Sequence, residues 1–211
     1  MHTLQEVKVP DSKLAREITE LVRETESDLL FNHSSRVYLF AAIAGKRRGL
    51  TFDDELLYAG AMFHDMGLTK RYSSKDLRFE VDSANAAAEF LRSHNISQQD
   101  IELVWTSIAL HTTIGIPQFM HPNVALVVAG VEMDVVGIKY DEYDKAEIEY
   151  VTHLFPRSMS FKEEIIDAFY DGFKDKPAST FGTVNADVIV DKEPGFRPMN
   201  FCSVIRNSQW A

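Results

Sequence analysis

His64 and Asp65 are the residues with which a chemical reading begins. An imidazole and a carboxylate stand side by side at the end of an apolar stretch (Leu56, Leu57, Ala59, Met62, Phe63), just before Gly67. Both side chains are metal-ligand types, and a tightened last helical turn lets both face one ion. Such a pair arises often by chance, so its surroundings carry the argument. His33 lies about one helix upstream, and Asp134 lies downstream within the apolar run 124–137. A carboxylate in so apolar a stretch needs a partner, because an unpaired buried charge is costly. An ion also held by His33, His64 and Asp65 supplies one. Two imidazoles and two carboxylates, with water completing the shell, suit Zn²⁺, Mn²⁺ or Fe²⁺. The expected cofactor is therefore one divalent metal, zinc first, with manganese or iron as alternatives. A salt bridge from Arg36 competes with this reading of Asp134.

The elements that must position these residues read as helices. Asp11 is the expected N-cap of a helix reaching Leu30, with Leu14, Ile18, Leu21 and Val22 on one face. A second helix covers 34–46 and stops near Gly49, with basic residues in its last turn. Asp53, Asp54 and Glu55 open a third, which delivers His64 at its end. A fourth runs over Phe79–Ser93, and Ser97 with Asp100 opens a fifth over 101–111. The sixth, 123–137, is apolar nearly all round and is expected to be central. Ser160 with Glu163 reads as a capping box before Ile165 and Phe169. Residues 186–190 fit strand or helix. No strand–helix alternation appears, so the fold class expected is all-α.

Length and composition bound the rest. The 211 residues suit a single domain, with a metal-binding core at about 31–140 and C-terminal helices and an irregular tail over 141–211. Acidic residues number 32 against 22 basic ones, a net charge of −10, which disfavours nucleic acid as a partner. One cysteine, Cys202, excludes an internal disulfide and reads as a buried thiol. The polar N-terminus is no secretory signal, and the longest apolar run falls far short of the roughly 20 residues that span a bilayer. A cytoplasmic protein acting on a small molecule is expected, with no membrane partner. The apolar tail 196–210 is a candidate contact for a homo-oligomer.

The order His33, His64-Asp65, Asp134 on successive helices resembles the HD-domain metal-dependent hydrolase superfamily. Longer strings resemble its cyanamide-hydratase-like branch: His33 to Ala41, Gly49-Leu50-Thr51-Phe52-Asp53, Arg78-Phe79-Glu80-Val81-Asp82, Ala109-Leu110-His111-Thr112-Thr113 and Asn200-Phe201-Cys202. The resemblance runs from about Phe31 to Trp210. It implies an all-α HD-domain fold with His33, His64, Asp65 and Asp134 as the metal site. The branch implies hydration of a nitrile, cyanamide to urea, by metal-bound hydroxide. The wider superfamily implies the alternative, hydrolysis of nucleotides or other phosphate monoesters at the same site.

Attack on a nitrile carbon leaves a nitrogen to be protonated, which calls for an acid within reach. Glu80, Asp82 and His111 are the catalytic candidates. The two carboxylates begin a helix, where the dipole favours them without any catalytic duty. His111, in an apolar context, serves as acid/base, substrate ligand or fifth metal ligand. Arg36 and Thr112 are the expected substrate-binding residues, against plainer readings as a carboxylate partner and a helix cap. Two-metal members of the superfamily carry further histidines before the last aspartate. His111 matches one, but at the other place this chain has Glu80 and Asp82, so one metal is expected. Two irons would point instead to an oxygenase.

Overall fold

A computed structural model describes residues 7–209; residues 1–6 and 210–211, Trp210 among them, lie outside that description. Among the described residues every regular element is helical, as the all-α expectation requires.

Ser12 caps α1 (Lys13–Thr25) by accepting from the Ala15 N–H, and Ser27 caps α2 (Asp28–Arg47) by accepting from that of Leu30. The single helix expected from Asp11 to Leu30 is thus two helices, and α2 starts well before 34. Glu26 is extended and closes α1 by donating its N–H to the Val22 carbonyl. No glycine or proline marks this break; the Ser27 cap makes it.

Asp53 caps α3 (Asp54–Phe63) through the N–H groups of Glu55 and Leu56. A 3₁₀ turn over Met66–Leu68 leads toward α4 (Phe79–Ser93), followed by α5 (Gln98–Ala109) and α6 (Pro122–Val136). The chain continues through α7 (Lys145–Leu154), α8 (Phe161–Phe173), α9 (Asn185–Lys192) and α10 (Phe201–Arg206). Helices α7 and α10 are additional to those expected from the sequence. Asp144 and Glu147 form a reciprocal capping box at the start of α7, whereas Ser160 makes no side-chain cap on α8. Residues 186–190 are helical. Cys202 is exposed rather than buried. No helix among the described residues is long and apolar enough to cross a membrane.

The centre of the fold is shared by α2 and α6, the latter as expected for 123–137; nearly every side chain of α2 from Leu30 to Gly45 is buried. Helix α2 packs mainly on α6, with α3 against both and α5 bracing α3, α4 and α6. Gly130 sets how closely α6 approaches α2. A Cβ built there would lie 2.2 Å from the Val37 carbonyl oxygen. In this antiparallel pair His33 lies one turn before Val37, and Asp134 one turn after Gly130. The close approach therefore brings His33 and Asp134 together. Gly130→Ala is expected to lower stability by about 1–3 kcal/mol, the usual range for overpacking, and to weaken metal retention. Urea denaturation and metal content of the variant check both; unchanged values would show that the helices do not need this contact.

Candidate metal centre

Four elements converge on one buried cluster. His33 comes from the second turn of α2. His64 is the C-cap of α3, and Asp65 follows in the turn leading to Met66–Leu68. That turn is clamped on α4: the Gly67 N–H donates to Ser83 Oγ at 2.8 Å, and a Cβ on Gly67 would meet the Phe79 carbonyl oxygen at 2.1 Å. His111 follows α5. All four side chains are buried.

The hydrogens on the imidazoles are placed by their neighbours. His64 Nδ1 donates to the Ala61 carbonyl at 2.7 Å, His111 Nδ1 to the Ile108 carbonyl at 2.6 Å, and His33 Nδ1 to Asp134 Oδ2 at 2.7 Å. Each neutral ring therefore presents a bare Nε2. His33 Nε2 and His64 Nε2 face each other at 3.2 Å. Asp65 Oδ2 lies 3.3 Å from the second and 3.6 Å from the first. Both Asp65 carboxylate oxygens are buried without a hydrogen-bond donor. Two lone pairs and an unpartnered carboxylate in one spot call for a cation. His33, His64 and Asp65 can indeed offer one donor atom each, all within 4.8 Å of one another. A tetrahedral ion with bonds of about 2.0–2.1 Å has donor–donor edges of about 3.3–3.4 Å, close to the three separations found. The residues present fit a small divalent ion.

Charge follows the same logic. Burial pushes Asp65 up, but the charge of the adjacent His64, with those of His33 and His111 beyond, holds it at about 2. Burial pulls His64 down, and Asp65 more than reverses this, raising it above its ordinary value. A proton on His64 thus takes the cation's place when the ion is absent, so protons and metal compete for the site. Burial and the His64 charge lower His111 to about 4, which keeps its ring neutral at pH 7. Glu26, overlooked in the sequence, is a buried carboxyl nearby. Burial and then the Asp65 charge raise it well above the usual range, and Ser34 Oγ donates to it at 3.4 Å.

Asp134 stands apart from this cluster. Its carboxylate meets the far side of the His33 ring, at Nδ1. It is gripped by Arg36, with Nε 2.7 Å from Oδ1 and Nη2 2.8 Å from Oδ2. Of the four expected ligands, His33, His64 and Asp65 face one another, while Asp134 lies behind His33 as an outer partner that fixes its tautomer. Arg36, expected to bind substrate, lies on that outer side as well. It is fully buried, bound to Asp134 and to the Phe155 and Pro156 carbonyls, and does not face the cavity described next.

A cavity of about 370 Å³ opens over the cluster. His33, His64, Asp65, His111 and Thr112 line it, with walls from Phe79, Val131, Val135, Ile166, Phe169 and Val188. Of the expected catalytic carboxylates neither lines it. Asp82 is engaged outside it: its Oδ2 takes the Lys176 ammonium at 2.6 Å and the Ser74 N–H at 2.9 Å. Glu80 sits behind the wall, where Thr112 Oγ1 and Asn185 Nδ2 donate to its Oε1. Asn185 and the wall residues of α8 and α9 escaped the sequence reading. The only local signal for them was an apolar periodicity with no chemistry attached.

A family model described as the HD domain matches residues 30–148, more than half of the chain. The chain belongs to the HD-domain family. His33, His64, Asp65, His111 and Asp134 all fall inside the matched stretch, whereas α8 and α9 lie beyond it. With the family comes the coarse function of a metal-dependent hydrolase, which the His33–His64–Asp65 cluster suits. None of the curated proteins matches the chain.

Proposed function

We propose that this HD-domain protein is a zinc-dependent hydratase or hydrolase of a small, uncharged nitrile- or amide-like molecule, of the kind that converts cyanamide to urea. The observation that carries this reading is the cavity wall. Among the described residues no lysine or arginine lines it, and most of its surface comes from apolar side chains. A phosphate monoester would bring its charge into a chamber with no side-chain cation to meet it. The basic side chains of the neighbouring segments lie elsewhere. Arg36 holds Asp134 and Arg78 holds Glu80; Lys70 lines a separate surface cleft, and Arg71 lies over the Tyr72 ring. A small neutral substrate suits the volume and the walls. Zinc is favoured because edges of 3.2, 3.3 and 3.6 Å exceed the roughly 3.0 Å of an octahedral ion with bonds near 2.1 Å.

When bound, the ion lowers the pKa of a water and polarises the electrophile. The chain's own groups do the remainder. Asp134 and Arg36 hold His33 in one tautomer and one orientation. His111, neutral and with Nδ1–H tied to Ile108, offers Nε2 to take a proton from the attacking water and pass it to the nitrogen of the substrate as the carbon–oxygen bond forms. Phe79, Ile166 and Phe169 keep bulk water from the reacting atoms.

The test is urea formation from cyanamide by zinc-loaded protein, assayed beside phosphate release from p-nitrophenyl phosphate and nucleotides. Urea without phosphate release is expected. Phosphate release without urea would reverse the assignment.

A further inference from the structure

One polar group enters the cavity from outside the family-matched stretch. Asn185 opens α9, is buried, and lines the chamber between Val184 and Val188. Glu80 dictates how its amide is turned. Asn185 Nδ2 donates to Glu80 Oε1 at 3.0 Å, and the same oxygen takes Thr112 Oγ1 at 2.5 Å and Arg78 Nη2 at 2.9 Å. Paired with Arg78, Glu80 is a carboxylate and can only accept. Turning the amide over would set oxygen against oxygen, so Nδ2 faces Glu80 and Oδ1 is the free end. Among the described residues no protein group is hydrogen-bonded to that Oδ1. Glu80 is itself fully buried, so the amide is held by a partner that cannot drift into solvent.

We propose that Asn185 orients the substrate, its Oδ1 accepting a hydrogen from an N–H on the electrophilic carbon. This rests on the reading of a small neutral substrate and narrows it. The preferred molecules carry an amino group on the carbon to be attacked: cyanamide, primary amides and ureas. Their N,N-dialkyl counterparts leave Oδ1 without a donor, and a site built to hydrogen-bond an N–H discriminates against an analogue that lacks it.

Two matched pairs test it in zinc-loaded protein: cyanamide against dimethylcyanamide by kcat/KM, and acetamide against N,N-dimethylacetamide by NMR-monitored binding. Wild type is expected to favour the N–H member of each pair by roughly 100-fold in turnover and 10-fold in affinity. Asn185→Leu should bring both ratios close to one. A merely structural role would weaken both members equally and leave the ratios unchanged, which would overturn the proposal. Asn185→Ala, smaller and open to water, is read in the same way should the leucine variant not fold. If wild type turns over neither nitrile, the hydratase reading fails, while the binding ratio still decides the role of Asn185. A wild-type binding ratio near one, or no binding of either amide, refutes that role.

Discussion

His64→Ala is expected to abolish metal retention and with it activity. Protein purified without added metal should carry about one zinc per chain by inductively coupled plasma mass spectrometry, and the variant close to none. Asp134→Asn makes the informative comparison. As an outer partner, Asp134 should cost about 10–100-fold in metal affinity or rate when its charge is removed, the range typical of such groups. Loss of His64, which contributes a donor atom directly, should exceed that by at least another order of magnitude. The ranking follows from geometry: His64 Nε2 and Asp65 Oδ2 face the same point, whereas Asp134 reaches only His33 Nδ1. Equal losses in the two variants would mean that Asp134 is a ligand after all. About two irons per chain in wild type would move the protein to oxygenase chemistry.

The second large effect lies in stability. Arg36 and Asp134 form a buried bidentate pair, and Arg36 also serves the Phe155 and Pro156 carbonyls. Arg36→Met leaves the carboxylate buried without its cation, which costs about 3–5 kcal/mol, or on the order of 10 °C in Tm for a chain of this size. Arg36→Met combined with Asp134→Leu should recover much of that loss, because no charge is then stranded. The same pair sets a response to acid. Burial pushes Asp134 up, but hydrogen bonds from His33 and Arg36 and their charges bring it to about 2, below the ordinary 3.8. A carboxylate depressed in the folded state stabilises the fold above its unfolded pKa. That contribution, about 2 kcal/mol, is present at pH 5 and is lost as pH falls from near 3.8 through about 2. Urea denaturation of metal-free protein at pH 5, 3.5 and 2.5 measures it. The slope should be smaller by about that amount in the double variant, where Asp65, also held at about 2, still responds to acid; a slope unchanged from wild type would assign the response to other groups.

Much of this molecule is legible along the chain because the governing interactions are local. The apolar periodicity of 56–63 followed at once by His-Asp places two donors at a helix end, and Asp53 announces where that helix starts. The one serious boundary error, joining α1 to α2, has a local cause as well. The Thr25-Glu26-Ser27 break carries no glycine or proline, and the Ser27 cap looks like any other serine within an amphipathic run. The position of Asp134, behind His33 and apart from the other three expected ligands, has a different cause. Asp134 was correctly required to have a partner, and both an ion and Arg36 were available one turn apart on α2. Which of them takes the carboxylate depends on how α6 is rotated and how closely it lies on α2, a matter of the Gly130–Val37 contact between distant parts of the chain.

By itself, then, the sequence determined the helical class and pointed to His33, His64, Asp65 and Asp134 as candidate ligands, with His111 as a candidate acid/base. These follow from side-chain type and from the helical stretches in which the residues stand. Only the tertiary structure decided which face of each ring is bare, that Asp82 belongs to Lys176 and Arg36 to Asp134, and that α8 and α9 close the cavity with apolar walls and Asn185. Those outcomes depend on contacts between residues up to about a hundred positions apart. Their geometry is set by helix packing, which no local pattern encodes.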